Sequence, residues 1–124
     1  MHERLAGPLL DEAHVAMLRE AVGDEDLCAM FAELPDAARQ ALDAIRAAVA
    51  SDDLAAARHA AHTLKGVASS FGAARLAAVA CELEHPTSSI ASISQGVAVL
   101  DDLIVETSVA LALIGGSAAA EAAT

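Results

Sequence analysis

Residues 51 to 72 read SDDLAAARHAAHTLKGVASSFG, and the fold turns on this stretch. Ser51 or Asp52 is a good N-cap, because a short oxygen-bearing side chain accepts a hydrogen bond from a first-turn N–H. The run that follows is rich in Ala and Leu, is interrupted only by Gly66, and meets its next stop signal at Gly72. The pattern predicts one helix of roughly five turns, ending near Gly72 in a glycine cap. At about 100° per residue, Leu54, Ala57, Ala61, Leu64, Ala68 and Phe71 fall into one apolar stripe. Arg58, His59, His62, Lys65, Gly66 and Ser69 fall on the other side. His62 is therefore expected to point to water, with Lys65 and Gly66 one turn further on covering the same patch.

Gly66 is the odd residue in that helix. A glycine in a helix interior costs about 1 kcal/mol relative to Ala, and this chain uses Ala freely. It contributes no packing, but it leaves open space beside the imidazole through which a bulky partner can approach. A cost kept without a packing return points to a functional site. The chemistry of the patch agrees. An imidazole is largely unprotonated in the cytosol and is a competent nucleophile that can hold a covalent intermediate. Lys65 places a compact positive charge where a phosphoryl oxygen would lie. Ser69 adds a hydroxyl two turns along.

Taken together, His62-Thr63-Leu64-Lys65-Gly66, Ala68, Ser70-Phe71-Gly72 and the later Cys81-Glu82-Leu83-Glu84 resemble the histidine-containing phosphotransfer (HPt) domain of bacterial phosphorelays. The resemblance implies a helical bundle and a relay role. His62 would accept a phosphoryl group from the aspartate of one receiver domain and pass it to the aspartate of another. Lys65 would offset charge on the phosphoryl oxygens. Arg58, His59, Gly66 and Ser69 would form the patch on which the receiver docks. The expected partners are response-regulator receiver domains and the receiver domain of a hybrid histidine kinase. No cofactor is expected on this chain, since the Mg²⁺ and its acidic ligands belong to the receiver.

Composition narrows the remaining classes. Hydrophobic residues make up 56% of the 124 and aromatics only 2%, so the core must be built from Ala, Leu, Val and Ile at close helix spacing. With no β-rich alternating segment, an all-α domain is expected. The net charge of −11 argues against nucleic acid, which needs a basic face. Three of the seven basic residues, Arg58, Lys65 and Arg75, lie close to His62 in sequence, which suggests a small positive island attractive to an acidic partner. The most apolar segment, residues 97 to 114, contains Asp101, Asp102 and Glu106, so no membrane span is expected. The N-terminus shows no basic region followed by an apolar run, so no signal peptide is expected and the location is read as cytoplasmic. Cys28 and Cys81 are read as buried thiols in a reducing compartment.

Along the chain, Asp11 caps a short helix from about Glu12 to Val22 that ends at Gly23. A second helix runs from about Asp24 to Ala50, and its apolar phase survives Pro35, which predicts one kinked helix rather than two. After the helix described first, a fourth spans about Ala73 to Glu84 and stops at Pro86. A last helix starts from the caps at Thr87 to Ser89 and runs to about Ile114, where Gly115 and Gly116 should stop it. Its apolar positions overflow a single seam, which means either deep burial or a docked partner; a homo-oligomer stays open. The expected architecture is an antiparallel four-helix bundle over residues 1 to 116, with the short N-terminal helix covering one end and a flexible tail over 117 to 124.

Other readings carry less. His59 and His62 share a face, but zinc needs three or four protein ligands and no C-x-x-C pair supplies them. A Walker-type G-x-x-x-x-G-K-[ST] loop is absent, so ATP-dependent autophosphorylation is not expected and any catalysis needs a receiver. A histidine-kinase dimerisation helix usually presents an acidic residue directly after its histidine, and here Thr63 follows. The main alternative is a helical receiver-docking or dimerisation module without phosphotransfer.

Overall fold

The computed structural model describes residues 7–123, with side chains described through residue 114. Five helices occur among these residues: α1 Glu12–Val22, α2 Asp24–Ala50, α3 Leu54–Ser70, α4 Ala74–Leu83 and α5 Ile90–Ala123. The protein is all-α, as the composition predicts.

The helix ends are chemical. Asp11 Oδ1 accepts the His14 N–H at 3.1 Å and caps α1. Asp53, rather than Ser51 or Asp52, caps α3 by accepting the Ala56 N–H at 3.0 Å. Asp52 instead takes a left-handed backbone (φ 54°) in the three-residue turn between α2 and α3. At the other end of α3 the Ala73 N–H reaches Ala68 O at 2.9 Å and the Gly72 N–H reaches Ser69 O at 3.2 Å. That pair of bonds is a Schellman cap, which needs a left-handed residue, and Gly72 supplies it at φ 74°. A Cβ there would also sit 3.0 Å from Val15 Cγ2, so glycine is required twice over.

α2 runs unbroken through Pro35. Proline removes one N–H from the ladder. Phe31, Leu34, Ala38, Leu42 and Ile45 nevertheless keep one buried phase across it, and tertiary packing holds the helix together. α5 continues past Gly115 and Gly116, where the sequence reading stops it. Glycine raises the cost of a turn but keeps its N–H, so it weakens a helix without breaking the ladder. The expected flexible tail over 117 to 124 falls outside the residues whose side chains are described.

Short turns force successive helices to run antiparallel. Around the bundle α2 neighbours α3 and α5, and α4 neighbours α3 and α5; α5 packs most extensively on α2. The core is aliphatic, with Leu27, Leu34, Leu42, Ile45, Leu64, Leu76, Ile93, Leu100, Ile104 and Leu111 all fully buried. Thr107 is also fully buried. α1 covers one end: the Asp11 N–H donates to Gly72 O at 2.8 Å and the Arg75 N–H to Leu9 O at 3.2 Å. The overflow of apolar residues on α5 divides. Leu103 is buried, whereas Val109 and Leu113 are 56% and 68% exposed and line up with exposed Val105. Cys28 and Cys81 are free thiols and only half-buried, a correction to the reading of both as buried.

Gly96 shows how tight the packing is. A Cβ at this position would lie 2.8 Å from Leu83 Cδ2, and Leu83 is too enclosed to swing away. Gly96→Ala is therefore expected to lose stability, by about 1 kcal/mol net of its helix-propensity gain. Urea denaturation checks this, and a gain would show that α4 and α5 can separate without cost.

Candidate functional site

His62 projects from the middle of α3, and its side chain is 65% exposed. The residues facing the core from the same helix, Ala57, Ala60, Ala61, Leu64 and Ala68, are buried, so packing fixes the rotation of α3 that puts the imidazole outside. Gly66 lies one turn on, and a Cβ built there meets nothing within 4 Å. No packing requirement explains the glycine, and the space beside the ring is open.

The ring is not free on both sides. Nδ1 lies 2.6 Å from Glu84 Oε2. The other oxygen of Glu84 accepts a hydrogen bond from the Lys65 ammonium. Glu84 is the residue that ends α4, and its side chain is 19% exposed. The Lys65 hydrogen bond, with a smaller contribution from His62, holds the Glu84 carboxyl below the usual glutamate range against the opposing effect of desolvation. The same hydrogen bond raises the Lys65 ammonium above its ordinary value. An ionised carboxylate only accepts, so Nδ1 donates and the ring proton sits there. Nε2 has no hydrogen-bond partner among the described residues and keeps its lone pair.

These contacts have a pH signature. Folded Glu84 binds its proton less readily than the unfolded chain does. The stability it adds is therefore fully present above the ordinary glutamate range and is lost as the pH falls through the lowered value. The stability gap between wild type and Glu84→Gln is expected to hold steady near neutrality and to close on acidification. Denaturation across a pH series measures it, and a gap indifferent to acid would mean the carboxylate is not engaged.

The other residues singled out from sequence fall in different places. Arg58 is bound into the connection after α4: its guanidinium donates to Pro86 O at 2.6 Å, to Ser88 O at 2.7 Å and to Ser88 Oγ at 3.1 Å. Its geometric effect is to clamp the α4–α5 turn against α3, which keeps Glu84 beside His62. Arg75 donates to Gly7 O at 2.6 Å and approaches Glu106 at 3.7 Å. The three cations therefore do not form one free positive island. His59 is exposed and lines a groove of about 470 Å³ between α2 and α3, with Ala37, Gln40, Ala41, Ala60 and Thr63 among its walls. Ser69 sits toward the α1 end, against a small pocket that Asp11, His14 and Gly72 also line. His14 packs on the end of α3 through Nε2 and Ser70 O, 3.1 Å apart. Glu84 appeared in the sequence only as part of a C-E-L-E run. Its contact with His62 spans 22 residues, and no local pattern announces it.

A bundle that holds one imidazole in solvent, with an ammonium and bare backbone beside it, has the features of a domain that carries phosphoryl groups on histidine. The chain belongs to the Hpt domain family, whose sequence model matches residues 29–108, from α2 into α5 and across the whole site. Among solved structures it is similar to histidine-containing phosphotransfer protein B (HptB) from Pseudomonas aeruginosa PAO1. The two are 26% identical, the match covers 90% of this chain and 95% of the other, and the TM-score is 0.64. No curated protein sequence gives a significant match. Histidine phosphotransfer in a phosphorelay is thus the activity of the family, and receiver domains of response regulators are its partners. No helix among the described residues is long and apolar enough to cross a membrane.

Proposed function

We propose that this protein is a relay intermediate that takes a phosphoryl group from the aspartate of one receiver domain onto His62 and hands it to the aspartate of another. The observation that carries this reading is the exposed His62 ring, with Nδ1 held by Glu84, Nε2 without a hydrogen-bond partner among the described residues, and open space at Gly66 one turn on. In-line attack needs the nucleophile, the phosphorus and the leaving oxygen aligned, and an unobstructed approach lets the receiver set that line. Lys65 has three N–H donors and gives one to Glu84, so two remain for phosphoryl oxygens. Mg²⁺ and its ligands are supplied by the receiver. The groove that His59 and Thr63 line between α2 and α3, walled by small side chains, suits an apolar ridge of the docking partner. The receiver of a hybrid histidine kinase is the proposed donor, and the cytoplasm is the proposed location.

The test is direct. A receiver domain phosphorylated on its aspartate is mixed with this protein and Mg²⁺, and acid-labile label is followed from the first receiver to this chain and on to a second. Absence of uptake would leave the docking-module alternative.

A further inference from the structure

Arg58 stands one turn before His62 on α3, and its guanidinium holds the turn that joins α4 to α5. Nη2 donates to Pro86 O at 2.6 Å and to Ser88 O at 2.7 Å, and Nε donates to Ser88 Oγ at 3.1 Å. We propose that Arg58 is a positioning residue for phosphoryl transfer: its fork fixes the α4–α5 turn on α3 and thereby sets the rate of transfer at His62, not the affinity for a receiver. This rests on the phosphotransfer reading of His62 and gives Arg58 a part in it other than docking.

The turn needs such a tie. Beyond the end of α4 the backbone carbonyls have no helical partner, and a cation that bonds them also meets the negative end of the helix dipole. The turn's other hydrogen bonds among the described residues stay within it or reach α4 and α5. The Ser88 N–H donates to His85 O at 2.9 Å, the His85 ring lies 2.8 Å from Thr87 Oγ1, and Ser89 Oγ accepts the Ser92 N–H at 3.1 Å. Among the described residues Arg58 is the one side chain of α3 that bonds to residues 85–89.

That turn is linked closely to the reacting ring. Pro86 follows Glu84 by two residues, a reach of no more than about 7 Å. Glu84 Oε2 lies 2.6 Å from His62 Nδ1, and its Oε1 accepts from Lys65. One helix therefore carries the imidazole, the ammonium and the guanidinium, and the guanidinium fixes how the end of α4 stands against the other two. Without the fork the turn can drift while the core stays closed, because buried Leu76, Val79, Ala80 and Leu83 hold α4 in the bundle. Transfer is sensitive to such drift, since a 1 Å misplacement can cost about 10²-fold. Lysine would keep the charge and lose the clamp: an ammonium is a point charge on a flexible stem and has no planar fork to span Pro86 O, Ser88 O and Ser88 Oγ.

The experiment compares Arg58→Lys, which keeps the charge, with Arg58→Met, which keeps an unbranched apolar stem. Transfer from a phosphorylated receiver domain with Mg²⁺ is measured over a range of receiver concentrations. Loading of the whole chain from phosphoramidate, a small donor that needs no docking surface, is measured beside it. Both variants are expected to transfer about tenfold more slowly at saturating receiver, with the half-saturating concentration within about twofold of wild type. Loading from phosphoramidate should slow alongside, and ¹⁵N NMR of the unloaded His62 ring should show a larger share of the Nε2–H tautomer. Circular dichroism checks the fold. An unfolded Arg58→Met leaves the lysine variant to decide, and an unfolded Arg58→Lys would make the residue structural and overturn the proposal. A lysine variant that transfers normally, or a defect confined to the half-saturating concentration with phosphoramidate loading unchanged, would mark a docking charge and overturn it too. So would wild-type transfer in both variants. Each of these outcomes leaves the phosphotransfer reading standing. That reading fails instead if His62→Gln still takes up label from the receiver, or if wild type takes up none.

Discussion

His62→Gln is expected to take up no phosphoryl group from a phosphorylated receiver, a loss of at least about 100-fold, while its melting temperature stays within about 2 °C of wild type. The large effect follows from chemistry, since an amide nitrogen has no available lone pair to form the P–N bond. The small effect follows from position. The ring is 65% exposed, makes one side-chain contact to Glu84 and packs against none of the core. A surface substitution of this kind is usually worth less than about 0.5 kcal/mol. His85→Gln serves as the paired control and should retain uptake, because that exposed ring turns to Thr87 Oγ1 at 2.8 Å. Label that persists in the His62 variant, or disappears in the His85 variant instead, would move the phosphoryl site.

Gly66 gives the second large effect, in which stability and transfer move in opposite directions. A Cβ at this position meets nothing within 4 Å, so Gly66→Ala should gain about 1 kcal/mol from helix propensity, worth about 4 °C in melting temperature. Gly66→Leu keeps most of that gain and puts a branched side chain beside the imidazole. Phosphoryl transfer tolerates little displacement of the reacting atoms, and a 1 Å misplacement can cost about 10²-fold. Transfer to and from a receiver is therefore expected to fall by about that factor in a protein that unfolds later than wild type. A stabilised Gly66→Leu that transfers normally would show that the open backbone is not the approach route. Loss of stability in Gly66→Ala would contradict the open space itself.

Much of the architecture follows from short-range signals. Asp11, Gly23 and Gly72 mark helix ends through capping bonds that reach only three to five residues, and α1 and α2 begin and end where those signals place them. The exposure of His62 is legible for the same reason: periodicity along one helix separates the Ala and Leu stripe from the opposite face. Some local signals compete. Ser51, Asp52 and Asp53 are all capable caps, and Asp53 serves because Asp52 is taken up in the turn. Gly115 and Gly116 read as a stop, yet glycine lacks the steric block that proline carries, and α5 runs on.

The amino-acid sequence alone determined that the chain is helical, where most helices start and stop, and that His62, Lys65 and Gly66 share one exposed patch, because each of these depends on residues within a turn or two. Only the tertiary structure decided what that patch can do. The register of α4 against α3 brings the Glu84 carboxylate to Nδ1 of His62 and to Lys65, and the Arg58 clamp on the Pro86 and Ser88 carbonyls holds it there. The same register engages Arg58, which from sequence was read as part of the receiver-docking patch. Contacts across more than 20 residues are set by how whole helices pack, and side-chain identity along one helix does not encode them.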